Sequence, residues 1–426
     1  MPRHYPVALS AIAISLFLLS ISPSLVAAAT PLQLDPGFGK QGVFTDPEAP
    51  HGSRGYESVR AMTVAPGRSI YVAAQGSFSG GGTAVIARYR RDGELERSFG
   101  TRGYLTLPGV GRVNALAADR SGRLLMLSHQ MMISRIAGGR LDPSFGDGGS
   151  VSMAALGLEG LELLSLAPLP GGGVLAAGTV HATNQMVVVK LKSDGALDTS
   201  FNGTGSRVVR FGPSTHGRLC QVKVQGDGKV VLGGTAGPRF RPALARLLPD
   251  GTFDPSFGRG GRVLSPRLLH GVITALTVRR DGSILAGASG FTNHHPGIRA
   301  AAGCGLAAAG REGNRALLLR FGPGGALDRR FGSIAAPRSR NGLAAIPIAV
   351  MRAQRHIFLV TSERGPAIRA YRSNGKPLDL GRVSGVPQDV FFGLAAAPQD
   401  RKLVIAWTPV PSSSQGEVNL ARFTVR

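Results

Sequence analysis

The chain has 426 residues, of which 43% are hydrophobic and 17% charged, which excludes a disordered protein and supplies enough apolar material for a sizeable core. Its two cysteines exclude a multi-cysteine disulfide scaffold or zinc module, and its 6% aromatic content argues against stacking platforms for single-stranded nucleic acid. The formal net charge is +24, so we expect the surface to attract anions.

The first 29 residues have the pattern of a secretory signal peptide. A basic start is followed by an apolar run from Val7 to about Ile21 and by three alanines that end at Ala29. We expect cleavage after Ala29 and secretion across the inner membrane, to the periplasm, the cell surface or the exterior. An uncleaved membrane anchor over residues 7–29 is the alternative, but Pro23 and the alanine cluster argue against it. We expect no transmembrane segment after cleavage.

From residue 30 onward the sequence is one unit repeated seven times. The copies are LDPGFGKQGVF from Leu34, LERSFGTRGYL from Leu95, LDPSFGDGGSV from Leu141, LDTSFNGTGSRV from Leu197, FDPSFGRGGRV from Phe253, LDRRFGSI from Leu327 and a worn LDLGRVSGV from Leu378. Their spacing averages about 57 residues, which is also one seventh of residues 30–426. Two independent counts therefore give seven units.

Each unit contains aliphatic runs of four to eight residues that are punctuated by tight-turn signals, as in KVVLGG and SILAGA. Asp-Gly and Asn-Gly turns join antiparallel strands because both central residues of a type I′ turn need positive φ. These turns are Asp92-Gly93, Asp194-Gly195, Asp227-Gly228, Asp250-Gly251, Asp281-Gly282 and Asn374-Gly375. Four strands per unit, with the LDxSFG copy as the fourth, predict an all-β, seven-bladed β-propeller.

The two ends of the repeat region predict how the ring closes. The last unit stops at VNLARFTVR without a fourth strand, and a spare copy of that strand, Leu34 to Phe44, follows the signal peptide. We therefore predict a single propeller domain over residues 30–426, in which the N-terminal strand completes the last blade. An open solenoid is the alternative, but it would need polar caps that the sequence does not show.

The LDxSFGxxG copies, each preceded by a turn and by a basic residue such as Arg88, Lys190 or Arg246, resemble the bacterial delta-60 repeat family. The resemblance implies an exported repeat protein and no particular reaction. We expect the motif phenylalanines to be wedges between blades, and the motif aspartates to bond local amides or the arginine of a neighbouring blade. The phenylalanines are Phe38, Phe99, Phe145, Phe201, Phe257 and Phe331.

We favour a binding or scaffold module that presents a basic loop face to an anionic partner: a glycan, lipopolysaccharide or an acidic protein, and not a nucleic acid. In a propeller the connections between strands two and three, and between strand four and the next blade, lie on one face. Candidate binding residues in those connections are Arg239, Arg241, Arg338, Arg340, His294 and His295. No cofactor is predicted.

The alternative is a propeller enzyme, of the lactonase-like hydrolase or quinone-dependent dehydrogenase type, with its site in the axial channel. Four polar residues near the starts of inner strands offer oxygen ligands for a divalent cation: Glu57, Asn114, Glu162 and Asp389. They serve equally as hydrophilic channel lining. The two cysteines, Cys220 and Cys304, are predicted either to form a disulfide in an oxidising compartment or to remain a buried and a loop thiol.

Overall fold

A computed structural model describes residues 32–46, 58–76, 82–212, 216–238, 240–265, 270–291, 304, 314–331, 333–335, 346–353, 356–362, 366–378, 391–409 and 417–425. Apart from one short 3-10 helix, Ala154–Leu156, the regular elements of these residues are 30 strands. The strands form seven antiparallel sheets, each of which is one blade of a β-propeller.

The strands of the first three blades follow the chain from the inside of the ring outward. Blade 1 contains β3 (Ser58–Val64), β4 (Ile70–Gly76), β5 (Thr83–Tyr89) and β6 (Tyr104–Leu107). Blade 2 contains β7 (Val113–Ala118), β8 (Leu124–Ser128), β9 (Met132–Ala137), β10 (Arg140–Leu141) and β11 (Ser150–Ser152). Blade 3 contains β12 (Leu161–Pro168), β13 (Val174–Val180), β14 (Gln185–Leu191) and β15 (Ser206–Val209).

The next three blades repeat this order. Blade 4 contains β16 (Gly217–Val224), β17 (Val230–Ala236), β18 (Arg241–Leu247) and β19 (Arg262–Leu264). Blade 5 contains β20 (His270–Val278), β21 (Ile284–Phe291), β22 (Asn314–Phe321) and β23 (Ser333–Ala335). Blade 6 contains β24 (Ile346–Ala353), β25 (His356–Ser362), β26 (Pro366–Arg372) and β27 (Pro377–Leu378).

Blade 7 is built from both ends of the repeat region, as the sequence predicts. It contains β28 (Phe391–Gln399), β29 (Lys402–Pro409), β30 (Val418–Val425), β1 (Leu32–Leu34) and β2 (Val43–Asp46). Leu34 lies opposite Phe423, and Phe44 lies opposite Leu420. The inner strand β28 packs against β3 of blade 1 and β24 of blade 6. The ring is therefore closed, which leaves no blade edge open between first and last units.

The LDxSFG motif was expected to be the fourth strand, and the structure corrects this. In blade 3, Leu197 makes a single bridge to Leu191, and β15 begins only at Ser206. Between them, the Oδ1 atom of Asp198 accepts from the amide of Ser200 at 3.2 Å. An aspartate that bonds the amide two residues on makes a turn rather than an extended strand. The motif is therefore the corner that leads into the outer strand.

The motif phenylalanines are wedges between blades, as predicted. Phe38, Phe145, Phe201 and Phe257 are completely buried, and each fills space beside a turn of the next blade. A Cβ atom on Gly93 would lie 2.6 Å from the ring of Phe38, so only glycine fits that turn. Burying one phenylalanine contributes about 2–3 kcal/mol to stability, and the wedge recurs around the ring.

The motif aspartates accept from local amides, as predicted, but the basic residue with which they pair belongs to their own blade and not to the neighbouring one. In blade 4, Arg246 donates from Nε to Asp254 at 2.8 Å and from Nη1 to the carbonyl of Pro323 in blade 5 at 2.5 Å. Its guanidinium carbon also lies 4.6 Å from the ring centre of Phe257. The arginine therefore connects the blades, while the aspartate orients it. The same arrangement recurs at Arg135, Arg320 and Arg422.

Candidate functional site: the axial channel

The seven inner strands surround an axial channel that consists of two connected cavities. One of them, which we call the loop-side cavity, lies near the starts of the inner strands and measures about 580 Å³. It is lined by residues from all seven inner strands. The turn-side cavity, about 1580 Å³, is lined by blades 4 to 7 and reaches the turns that follow the inner strands. Gln221, Lys223, Ile348 and Ala396 line both cavities. The two cavities are therefore parts of one channel.

A β-bulge at the same register position of every inner strand decides which side chains reach the channel. In each blade one residue between two paired positions is left without a partner in the second strand. The bulged residues are Arg60, Asn114, Leu164, Cys220, Thr274, Ile348 and Phe392. The first six of them line the loop-side cavity. The bulges therefore form one ring of positions around the axis.

Three basic side chains of the loop-side cavity have no acidic partner among the described residues: Arg60, Arg112 and Lys223. The Nε atom of Arg60 is buried and has no hydrogen-bond acceptor there. Burial, followed by the charge of Arg112, lowers the pKa of the Arg60 guanidinium. The charges of Arg60 and Arg112 therefore repel each other, and an anion bound beside them would offset this repulsion.

Of the four predicted cation ligands, the structure describes Asn114 and Glu162, and both are engaged with protein groups. The amide of Asn114 donates to the carbonyl of Leu163 in blade 3 at 3.0 Å. Thr274 donates in the same way to the carbonyl of Pro347 in blade 6 at 2.7 Å. The carboxylate of Glu162 accepts from Arg218. These polar groups therefore connect adjacent blades around the channel.

The other two predicted cation ligands, Glu57 and Asp389, lie outside the described residues. Within the described part of the chain, no three His, Cys, Asp or Glu side chains come together as a metal site.

The turn-side cavity is also basic. Arg280, Arg352 and Arg401 are exposed at its rim, and none of them has an ion pair among the described residues. Its one described acidic residue, Asp281, lies 3.4 Å from Arg279 and accepts from the hydroxyl of Ser283 at 2.6 Å. Both cavities therefore present an excess of positive charge.

The two cysteines form a disulfide beside the channel, with a Cα–Cα distance of 5.2 Å. Cys220 is the bulged residue of blade 4, and Cys304 belongs to the long connection between β21 and β22. Both residues line the loop-side cavity. The disulfide therefore fixes one point of that connection against the inner strand of the neighbouring blade.

Among the predicted loop-face residues, the structure describes Arg241. Its Nε donates to the carbonyl of Ser265 at 3.0 Å, and the guanidinium is partly buried. The other five predicted residues lie outside the described part of the chain: Arg239, Arg338, Arg340, His294 and His295. The loop-face site stays a prediction.

Sequence reasoning missed Arg60, Arg112 and Lys223 because their positions depend on the bulge. A strand with a regular alternation would turn every second side chain inward, and one extra residue changes which side chains those are. The available signal was the unequal polarity of the inner strands: SVRAM, RVNAL and CQVKV carry basic residues where ITALT and IAVM carry none.

In the described part of the chain, no helix has the length and apolar character needed to cross a membrane.

Comparison with known proteins supports the fold. Two stretches, residues 172–201 and 225–257, match the family model described as domain of unknown function (DUF5122) beta-propeller. They cover the motifs of blades 3 and 4 together with the preceding strands. No curated protein matches the chain.

Two solved structures are similar in fold at low identity. The polysaccharide lyase Uly1 shares 12% identity, with 88% of this chain and 90% of that chain covered and a TM-score of 0.50. The extracellular domain of BT4673 from B. thetaiotaomicron, described as a one component system, shares 10% identity and a TM-score of 0.46. That match covers 89% of this chain, which spans 40% of the other. The likeness to Uly1 concerns the fold and implies no shared chemistry. The seven sheets identify the chain as a seven-bladed β-propeller, and repeats in two of its blades are similar to the DUF5122 beta-propeller family.

Proposed function

We propose that this propeller is an exported binding module for an anionic glycan, and that acidic groups of the ligand enter the axial channel. The observation that carries the proposal is the pair of guanidinium groups in the loop-side cavity, Arg60 and Arg112, which have no acidic partner among the described residues. Desolvated guanidinium groups bind carboxylate, sulfate or phosphate groups with charge-assisted hydrogen bonds. Without a bound anion, no acidic group among the described residues offsets the repulsion between the guanidinium groups of Arg60 and Arg112.

The shape of the channel favours a glycan over an acidic protein. A cavity of about 580 Å³ has the size of small-molecule sites and admits a few sugar units, but not a folded domain. The wider turn-side cavity, with Arg280, Arg352 and Arg401 on its rim, would attract a longer anionic chain by its field. Uly1 is by its name a polysaccharide lyase, but that likeness concerns the fold.

Binding is the function that the described side chains support better than catalysis. Asn114 and Glu162, which the enzyme alternative would use, already bond the neighbouring blades. Export forms part of the proposal, and the Cys220–Cys304 disulfide supports it because disulfides persist in oxidising compartments. N-terminal sequencing of protein recovered from periplasm and culture medium tests export and the expected cleavage after Ala29.

The binding test is titration with oligogalacturonate, a carboxylated glycan, and with uncharged dextran. We expect oligogalacturonate alone to bind. Replacing Arg60 and Arg112 together by glutamine should weaken its binding by about tenfold or more, because a hydrogen bond to a charged group is worth about 1.5–3 kcal/mol. The matched control is Arg140→Gln with Arg259→Gln, which removes the same charge from exposed outer-edge positions.

Equal weakening by the channel pair and the outer-edge pair would contradict the channel site and leave only general attraction to a basic protein. A third variant, in which Arg239, Arg241, Arg338 and Arg340 are replaced by glutamine, tests the loop face. If only this variant binds oligogalacturonate more weakly, the ligand binds at the loop face and not in the channel.

A further inference from the structure

Lys223 occupies a special position in the channel. It lies three residues after the bulged Cys220 on β16 and lines both cavities. Its side chain is partly exposed to the channel, while the propeller encloses it on the other sides. The residues that line both cavities with it are Gln221, Ile348 and Ala396. Among the described residues, its amine is therefore open to the channel from both cavities.

The charged groups that line the two cavities leave Lys223 without a carboxylate partner among the described residues. In the loop-side cavity they are Arg60, Arg112 and Glu162, and the carboxylate of Glu162 is held by Arg218. In the turn-side cavity they are Arg279, Arg280, Asp281, Arg352, His356 and Arg401, of which Asp281 is held by Arg279. No described carboxylate lies within ion-pair distance of Lys223. Burial lowers the pKa of its ammonium group.

We propose that Lys223 is a nucleophilic amine that captures small anionic carbonyl compounds, such as 2-oxo acids or acidic aldehydes, as a reversible imine. A neutral lysine in a desolvated, cationic site is an activated nucleophile. The lone pair of Nζ attacks the carbonyl carbon and forms the C–N bond. The carbonyl oxygen then leaves as water with the two protons that Nζ loses, so the step needs no oxidant or reductant. The neighbouring guanidinium groups would hold the carboxylate of the same compound.

This inference is independent of glycan binding, because it concerns the reactivity of one amine. The probe is glyoxylate, an anionic aldehyde, with cyanoborohydride to reduce the imine, followed by peptide mass spectrometry. The chain has seven lysines, and the exposed Lys40, Lys192 and Lys376 are internal references. We expect Lys223 to be labelled at least about tenfold faster than these at pH 7, since each unit by which a pKa is lowered raises the neutral fraction about tenfold. Its labelling should reach half its maximum at a lower pH than theirs.

Two further measurements separate the possible outcomes. Lys223→Arg keeps a long basic side chain but cannot form an imine, so glyoxylate should label only the other lysines of this variant. The melting temperature of the variant verifies that it folds. Propanal, a neutral aldehyde, should label Lys223 more slowly than glyoxylate relative to the references. Labelling of Lys223 no faster than of the references would overturn the proposal, whether or not oligogalacturonate binds. Equal preference for propanal and glyoxylate would overturn the anionic selectivity.

Discussion

The guanidinium of Arg422 donates to the carboxylate of Asp35 over 2.6 Å, although 387 positions separate the two residues in the sequence. Both side chains are buried, with exposed fractions of 6% for Arg422 and 8% for Asp35. The same carboxylate accepts from Lys402 at 2.6 Å. The ion pair therefore joins the N-terminal strand to the last strand of the chain, inside the blade that closes the ring.

We expect Asp35→Asn to lower the free energy of unfolding by about 3 kcal/mol, because removing one partner of a buried ion pair leaves the other charge uncompensated. Asp328→Asn is the matched control, since its ion pair with Arg320 joins residues eight positions apart in the sequence and is more exposed. Asp328→Asn should lower the free energy of unfolding by less than Asp35→Asn does. Urea unfolding followed by circular dichroism measures both. Deletion of residues 34–44 should destabilise the whole ring, and an unchanged urea midpoint after either change at blade 7 would contradict the closure by these strands.

The motif ion pairs predict how stability depends on pH. The hydrogen bond from Arg320 holds the pKa of Asp328 below its usual value, and the hydrogen bond from Ser144, with that from Arg135, does the same for Asp142. A carboxyl group whose pKa is lower in the folded state than in the unfolded state stabilises the fold above the unfolded value, about 4. That contribution is lost as the pH falls through the folded value.

The urea midpoint should therefore fall steeply below about pH 4. Asp328→Asn should lower the urea midpoint at pH 7 and make its decrease at acidic pH less steep. The exposed Asp147→Asn, outside these ion pairs, should do neither. A midpoint independent of pH between 2 and 5 would show that the ion pairs contribute nothing.

The wedge between blades predicts a difference between two glycine substitutions. Gly93 and Gly122 both have positive φ, 94° and 81°, so alanine strains either turn by about 1 kcal/mol. Only at Gly93 would the added Cβ collide with a buried ring, that of Phe38, whereas Gly122 faces open space. Gly93→Ala should therefore cost about 2–4 kcal/mol in total. Similar melting temperatures for the two variants would mean that the wedge tolerates an extra methyl group.

The disulfide predicts that protein denatured without reductant contains no free thiol. The sequence separation of the two cysteines is 84 residues, for which the chain-entropy account gives at most about 4–5 kcal/mol of stabilisation. Reduction, or replacement of Cys220 and Cys304 together by alanine, should lower the melting temperature, and reductant should have no effect on the double variant. Two titratable thiols per chain would contradict the bridge.

The number of blades, their antiparallel strands and the closure by the N-terminal strand could be predicted from the sequence because each depends on local signals. An Asp-Gly pair such as Asp250-Gly251 predicts a tight turn in any unit that contains it. Comparison with the other units shows that a fourth strand is missing after VNLARFTVR. The phenylalanine wedge was predictable for the same reason, since one large apolar residue recurs at one position of each unit.

The partners of the motif residues and the channel lining could not be predicted in this way. Asp254 bonds Arg246 of its own blade because the motif is a corner that turns back on the preceding strand, and a strand assignment hides that corner. Arg60 and Lys223 reach the channel because of a bulge whose position has no sequence signature in these units. The alternation of side chains along a strand predicts which face each residue occupies only where the register is regular.

A ring whose last blade combines strands from both ends of the repeat region imposes an order on synthesis. Strand β30 lies at residues 418–425 and pairs with β1 and β2, so β1 and β2 have no partner until those residues have emerged from the ribosome. Until then the faces of the first and sixth blades that pack against blade 7 are uncovered. Translation that stops early yields six unprotected sheets, which proteases and chaperones can recognise, instead of a smaller propeller.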